Sequence, residues 1–350
     1  MTPAQEPGPG GSDRILLIQP RWMGDVLLCT PAARAARRAF PDARIDFLTE
    51  PAGAAVLAGN PHLDEVLVAR PGARARGALL REIRRRRFEI VVDFRSTGST
   101  AQVAWLSGAG RRIGVRGRGP RNLAYTDLLP RPDSRLYIVR QKLALLQPLG
   151  VGEEDAGGLA LEVHVPEADR AWAASVWEHM GVDGEGRVVV LSTVARDPLK
   201  QWGAERWAAL ADLLVVQGQR VLLTHGPGEA DQVRRVTHAM RRGPWRIRGV
   251  DTPARLAALV RPADLWVGHD GGPKHVAVAV GVPTVSVIRA GLGPAWTDTS
   301  PGSPHRFVEG LGAARDPRGG LDALAVAEVA AAVRCALAER CGGGPWPVRS

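Results

Sequence analysis

The sequence predicts an α/β protein of two Rossmann-like domains, each built on a parallel sheet, facing one another across a cleft. Three observations predict it. Short apolar runs alternate with longer amphipathic ones, the pattern of strands and covering helices in a parallel sheet. The pattern runs twice, on either side of an acidic, glycine-rich stretch from Gly150 to Gly158. At 350 residues the chain exceeds one average domain, so two is the natural division.

The elements follow in order. Residues 1–13 are rich in proline and glycine, lack the apolar run of a signal peptide, and read as a flexible tail. Arg14 to Gln19 is a strand. Asp25 to Ala39 has helical character, with Pro31 near its first turns or at a kink. Ala43 to Leu48 is a strand, Ala54 to Ala58 a short helix, Glu65 to Val68 a strand and Ala73 to Arg87 a helix. Ile90 to Asp93 is a fourth strand, and Leu136 to Leu149 a helix stopped by Gly150. The Leu159 to Val165 strand and the Glu167 to Met180 helix bridge the halves. The second series has strands at Arg187 to Leu191, Arg220 to Thr224, Asp264 to Val267 and Thr284 to Ile288. Its helices are Gly203 to Gln217, Glu229 to Arg241 and Pro253 to Val260, with a short one after Gly272. The first domain is expected over 14–166 and the second over 167–350, with a terminal helix, Leu321 to Arg340, packing across the junction.

Composition narrows the function. Three cysteines without metal-ligand spacing cannot pair off evenly, which fits a reducing, cytoplasmic compartment. No stretch has the length of a membrane span. Formal net charge is +10, and all but three of the 46 basic residues are arginine. Such a skew reflects coding bias, so single arginines say little, whereas Lys142, Lys200 and Lys274 each attract notice. The clusters Arg84 to Arg87 and Arg111 to Arg121 read first as solvated faces. Attraction to an anionic acceptor or membrane surface comes second. Nucleic acid is not expected as a partner, because no binding motif or interleaved aromatics accompany the charge.

Three strand-end loops carry the chemistry. The first, Gln19 to Pro31, holds Arg21, Gly24 and Asp25 where a dinucleotide fingerprint would need three glycines, which argues against a nicotinamide cofactor. Asp25 reads equally as a general base for an acceptor hydroxyl or as a helix N-cap. The second loop, Ser192 to Trp202, offers Thr193, Arg196 and Lys200 to the phosphates of a leaving nucleotide, or is a plain solvated loop. The third is Gly268-His-Asp-Gly-Gly-Pro-Lys-His275. Gly271 and Gly272 permit a sharp turn, Pro273 suits a helix start, and the free amides there suit phosphate. Lys274 and His275 add donors, and Asp270 a carboxylate for a hydroxyl. In the softer Thr224 to Glu229 turn, Glu229 either holds a ribose hydroxyl or sits as an acid in a helix first turn. His225 and His269 read as turn residues. No Ser-His-Asp order, Walker loop, zinc spacing or paired aspartate motif stands out, so neither metal nor cofactor is expected.

At these residues the sequence resembles glycosyltransferase family 9, the ADP-heptose:lipopolysaccharide heptosyltransferases. The resemblance rests on Met23-Gly-Asp-Val-Leu-Leu-Cys-Thr-Pro-Ala, on Arg196, Lys200 and Trp202, and on Asp270-Gly-Gly-Pro with His275, in order from about Arg14 to about Arg306. It implies a GT-B fold, with the acceptor on the first domain and the sugar nucleotide on the second. It implies inverting transfer from an ADP-sugar, usually heptose to a lipopolysaccharide inner core. By position, Asp25 resembles the base and Lys200 the diphosphate-binding lysine. Asp270, Gly271, Gly272 and His275 resemble the donor loop, and Glu229 a carboxylate near the nucleotide's sugar. Gly271 stands where the family often has Thr or Ser. Lys274 stands where a neutral residue is common, and is read as an added phosphate contact. The protein is then expected as a monomer acting on a glycan, glycolipid or small-molecule acceptor, with peripheral membrane contact. A soluble metabolite acceptor, a related epimerase and a non-catalytic anion-binding module are the alternatives.

Overall fold

The computed structural model describes residues 14–181, 186–310, 321 and 323–342. The tail expected over 1–13 lies outside them. The first sheet comprises β1 (Arg14–Ile18), β2 (Arg44–Thr49), β3 (Glu65–Val68), β4 (Ile90–Asp93), β5 (Arg111–Val115) and β6 (Asp127–Leu129). Its order is β3-β2-β1-β4-β5-β6 and every pairing is parallel. The second comprises β7 (Val188–Ser192), β8 (Arg220–His225), β9 (Arg246–Gly249), β10 (Leu265–His269), β11 (Thr284–Ile288) and β12 (His305–Glu309). Its order, β12-β11-β10-β7-β8-β9, is again all parallel and repeats the first, with β7 in the place of β1 and β10 in that of β4.

This order has a chemical consequence. In an open α/β sheet, ligands bind beyond the strand C-termini at the point where strand order reverses. In the first sheet that point lies between β1 and β4, and in the second between β7 and β10. The loops carrying Asp25, Lys200 and Asp270 leave β1, β7 and β10, all central strands at a reversal point.

Several elements differ from the sequence reading. The first helix splits into Met23–Leu27 and Thr30–Ala39, because Pro31 restarts the helix where its missing N–H costs nothing. The Leu159 to Val165 segment is not a strand. It is an irregular stretch fastened by the buried guanidinium of Arg34, which donates to the carbonyls of Ala156, Gly158 and Ala160 at 2.6, 2.9 and 3.1 Å. The helix expected from Leu136 is the shorter Ile138–Ala144, followed by a 3-10 turn, Gln147–Leu149. β5, β6, β9 and β12 and the helix Gly98–Ser107 were not anticipated. Arginine occupies two of the five positions of β5 and two of the four of β9, so neither shows the apolar run of a central strand.

An apolar cluster crosses the junction between the domains. Val26, Leu27 and Val56 from the first pack in the same cluster as Val276, Ala277 and Val280 from the second. The terminal helix, Val326–Gly342, packs on the second sheet. Its buried Val329, Ala330, Val333, Ala336 and Leu337 complete the core of the second sheet, with Leu191, Val267 and Val285. An alanine-rich face lets that helix sit close on the second sheet.

Candidate functional site

The two reversal points meet at the junction, and glycines set how closely. A Cβ on Gly24 would stand 2.8 Å from Cδ2 of His275 and 3.5 Å from the Cα of Gly272. A Cβ on Gly272 would meet the side chain of Met23. The helix Met23–Leu27 of the first domain and the helix Gly272–Ala279 of the second therefore touch at their beginnings. A side chain at Gly272 would have to displace the end of the flexible Met23 side chain, its other contacts there being of ordinary van der Waals length. Gly271 is not required by a turn: its φ of 180° is extended backbone that any residue adopts, and the nearest side-chain atom to its Cβ position is 4.0 Å away. The expectation of a turn-forming Gly271 is corrected accordingly.

Asp25 lies in the first turn of its helix, behind an N-cap at Trp22, and its side chain caps no backbone amide. The N-cap reading is thus set aside. Its carboxylate is 12% exposed, with Nη1 of Arg95 3.5 Å from Oδ2. Burial raises its pKa above the ordinary carboxylate value, against the opposing pull of Lys142, Arg95 and Lys200, while Asp270 raises it further. A carboxylate in such surroundings is suited to accept a proton near neutral pH.

Arg95 and Lys142 line the site, although no sequence motif pointed to either. Lys142 Nζ donates to Gln19 Oε1 at 3.1 Å and to the Phe94 carbonyl at 2.7 Å. Arg95 and Phe94 belong to the loop after β4, the second strand of the first reversal point. That loop is pinned by buried Asp93, which accepts from Tyr125 Oη at 2.6 Å and from the amides of Arg95 and Ser96 at 3.0 and 2.9 Å. Ser96 has a φ of +49°, so the pinning holds a strained backbone in place. The scarcity of lysine was a signal for Lys142. Nothing local could show that it reaches Gln19, more than a hundred residues earlier.

Across the junction, Lys200 Nζ is 3.7 Å from Asp270 Oδ2 and 37% exposed, open to an anion. Burial disfavours the Asp270 carboxylate, but Lys274 and Lys200 outweigh it and hold its pKa below the ordinary value. Lys274 is not a phosphate contact. It is 1% exposed, and Nζ donates to Asp270 Oδ1 at 3.1 Å, the Trp296 carbonyl at 2.7 Å and Thr297 Oγ1 at 2.9 Å. Three donors with three internal partners leave none for a ligand. Its work is to balance Asp270 inside the protein. His275 is also buried, with a pKa pushed down to about 3 by burial, so it is a neutral imidazole against Gly24.

The remaining residues take different places. Thr193 is buried beside β7, and its hydroxyl has no hydrogen-bond partner among the described residues. Arg196 is exposed at the mouth of the same loop. Arg21 is exposed, 3.3 Å from Glu50 and over the Trp22 ring. Glu229 folds back to accept the Gly226 amide at 2.7 Å, closing the turn after β8. His269 is a core residue, not a turn residue. Its Nε2 accepts from the Trp202 amide at 2.9 Å and from Trp207 Nε1 at 3.3 Å, which anchors the loop that carries Lys200. A cavity of about 440 Å³, lined by Val163, His164, Arg170, Arg261 and Gly281 among others, sits at the linker and shares none of the site residues. Among the described residues no group of three or more His, Cys, Asp or Glu could hold a metal ion, and no helix is long and apolar enough to cross a membrane.

Residues 76–291 match the model of glycosyltransferase family 9 (heptosyltransferase). Lipopolysaccharide heptosyltransferase 3 of Escherichia coli is 28% identical over 285 residues, covering 77% of this chain and 82% of its own. Among solved structures, a family 9 glycosyl transferase from Veillonella parvula superposes with a TM-score of 0.78 at 22% identity, covering 93% of this chain and 97% of its own. The Escherichia coli heptosyltransferase WaaC, solved with ADP-2-deoxy-2-fluoro heptose, superposes at 0.68 and 20% identity, covering 92% and 99%. The shared architecture is GT-B.

Proposed function

Because the chain belongs to glycosyltransferase family 9, we propose that it moves a heptose, or a closely similar sugar, from an ADP-sugar to an acceptor hydroxyl with inversion at the anomeric carbon. The observation that carries this is the contact of Gly24 with Gly272, which sets the buried carboxylate of Asp25 opposite Lys200 and Asp270. The acceptor hydroxyl gives its proton to Asp25, and its oxygen forms the new bond to the anomeric carbon. The bond from that carbon to the diphosphate breaks, and its electron pair leaves with ADP. Negative charge grows on the leaving diphosphate, and Lys200 and the amides at the start of Gly272–Ala279 meet it. These are protein groups, so the scheme needs no cofactor. Asp270 receives a donor hydroxyl, with Lys274 keeping it from repelling the phosphates. Thr193, Arg196 and Glu229 belong to the nucleotide side in this reading, and Arg21 and Gly24 to the acceptor side.

Support for the ADP-heptose donor comes from the ligand in the WaaC structure, and for a lipopolysaccharide acceptor, which we take to be its inner core, from the name of the Escherichia coli relative. One chain holds both halves of the cleft, which supports a monomer; its proposed place is the cytoplasm, free or held at the inner membrane face. The test is ADP release from ADP-heptose with a core-truncated lipopolysaccharide, with the product's anomeric configuration read by proton NMR. Asp25→Ala is expected to bind ADP normally and to lose transfer by about a thousandfold or more, the upper scale of a general base with part of the acceptor's orientation. Full transfer by that variant, or donor cleavage independent of acceptor, overturns the assignment.

A further inference from the structure

We infer that one face of the first domain docks on the surface of an anionic lipid bilayer. The face is made by the helices Ala73–Arg86 and Gly98–Ser107 and the 3-10 turn Pro120–Ala124. All three lie on the same side of the first sheet, because Ile83, Ala101, Ala104 and Ala124 pack in one cluster with Leu16, Ile18 and Val91. The elements are stitched together: Arg84 Nη1 donates to the Leu106 carbonyl at 3.3 Å, and Gly98–Ser107 packs on Pro120–Ala124.

Two properties of the outer side identify the partner. The first is charge. Residues 73–87, 98–107 and 116–124 hold ten arginines and one carboxylate, Glu82; Arg86 turns to Asp46 and Glu65, which leaves nine arginines to the face. A coding bias toward arginine spreads over the whole surface and does not explain this concentration. The second is exposed apolar bulk. Leu123 is 82% exposed and Trp105 64%, with Leu106 beside them at 39%. Single exposed apolar residues are ordinary, but neighbouring ones ringed by a single sign of charge mark an interaction surface. Tryptophan and leucine gain by entering the headgroup boundary while arginines meet lipid phosphates. A nucleic acid would use the charge but gives no burial to leucine. Gly98–Ser107 begins just beyond Arg95, so the face runs from the acceptor side of the cleft along the flank of the domain, and a docked protein would hold that side near the bilayer.

Sedimentation of the full chain with vesicles tests this without any assay of transfer, and so succeeds or fails independently of the proposed reaction. Vesicles of phosphatidylcholine with phosphatidylglycerol are expected to carry the protein down at low salt, and phosphatidylcholine alone is not. Raising salt from low to physiological should weaken binding by roughly tenfold or more, as screening cuts the arginine attraction. Trp105→Ser with Leu123→Ser, and separately Arg81→Ser with Arg84→Ser, should each reduce binding by about tenfold while leaving ADP binding unchanged. The inference is overturned by equal partition onto neutral and anionic vesicles, or by variants that sediment like the parent. It is also overturned by a protein that ignores vesicles and instead binds duplex DNA, or dimerises through Trp105 and Leu123.

Discussion

Arg95 Nη1 lies 3.5 Å from Oδ2 of Asp25, and this cation, with Lys142, opposes the burial that raises the pKa of Asp25. Lys142 is the largest of the opposing influences. The other groups acting on Asp25 are Asp270, which disfavours ionisation, and Lys200, which favours it. The base must be ionised to act, so the acid limb of the kcat/KM profile should lie above the ordinary carboxylate range. Removing a cation makes the proton harder to lose. Lys142→Met should therefore move that limb to higher pH by about one unit, roughly 1.4 kcal/mol, and the rate should recover in alkali. Lys142→Arg should restore most of the shift. A profile lowered equally at every pH would mean that Lys142 only supports the loop through Phe94.

Gly24→Ala tests the junction. Its Cβ would stand 2.8 Å from the His275 ring, which is buried and braced near Trp296 with ring centroids 6.2 Å apart. The ring has nowhere to swing, so the two helix starts must separate. Displacement of about an ångström between reacting groups costs on the order of a hundredfold. Gly24→Ala should therefore lose about that much kcat while still binding ADP through the second domain. Gly271→Ser, at an extended position with open space, should keep near-normal activity. Comparable loss in both variants would show that the loop, not the junction, is sensitive.

Much of this arrangement was legible in the chain, and the parts that were not share a cause. Asp25, Lys200 and Asp270 each follow an apolar strand, so local pattern found them. Arg95 and Lys142 meet Asp25 only because β4 lies beside β1 in the sheet, a pairing that no local spacing reveals. Lys274 failed for a different reason. A lysine after a glycine turn looks like a phosphate ligand until its burial and the carbonyl of Trp296 are known. β5 and β9 were hidden because strands toward a sheet edge need not be apolar, and arginines occupy them.

The two lysines near Asp270 should separate stability from binding. Lys274 is fully buried with Asp270, so Lys274→Ala leaves a buried carboxylate without its main partner. Loss of about 3–5 kcal/mol in urea unfolding is expected. Lys200 is partly exposed and its contact with Asp270 is long. Lys200→Ala should change stability by about 1 kcal/mol or less. The same variant should weaken ADP binding by roughly tenfold or more in calorimetry, because a charge-assisted contact to the diphosphate is lost. If Lys274→Ala unfolded like the parent and Lys200→Ala bound ADP like the parent, the roles given to the two lysines would be wrong.

Buried His269 and His275, with half-buried His305, shape the response to acid. Burial pushes the pKa of His269 and His305 down to about 4 and that of His275 to about 3, from an ordinary 6.5. All three are neutral in the folded protein, and the unfolded chain binds their protons first. Their contribution to stability is complete above pH 6.5 and is lost as pH falls toward 4. Asp25 and Asp93, whose pKa values burial raises, pull the other way, because the folded form takes their protons more readily. With three histidines against two carboxylates, unfolding free energy should still fall between pH 6.5 and 5. The slope should correspond to net uptake of about one to three protons. His269 carries a defined share, since protonating Nε2 would break the contacts from Trp202 and Trp207. His269→Gln keeps an acceptor but does not titrate, so about one proton should vanish from the slope in urea unfolding across that range. A parent protein equally stable at pH 5 and pH 7 would contradict the burial of these rings as neutral groups.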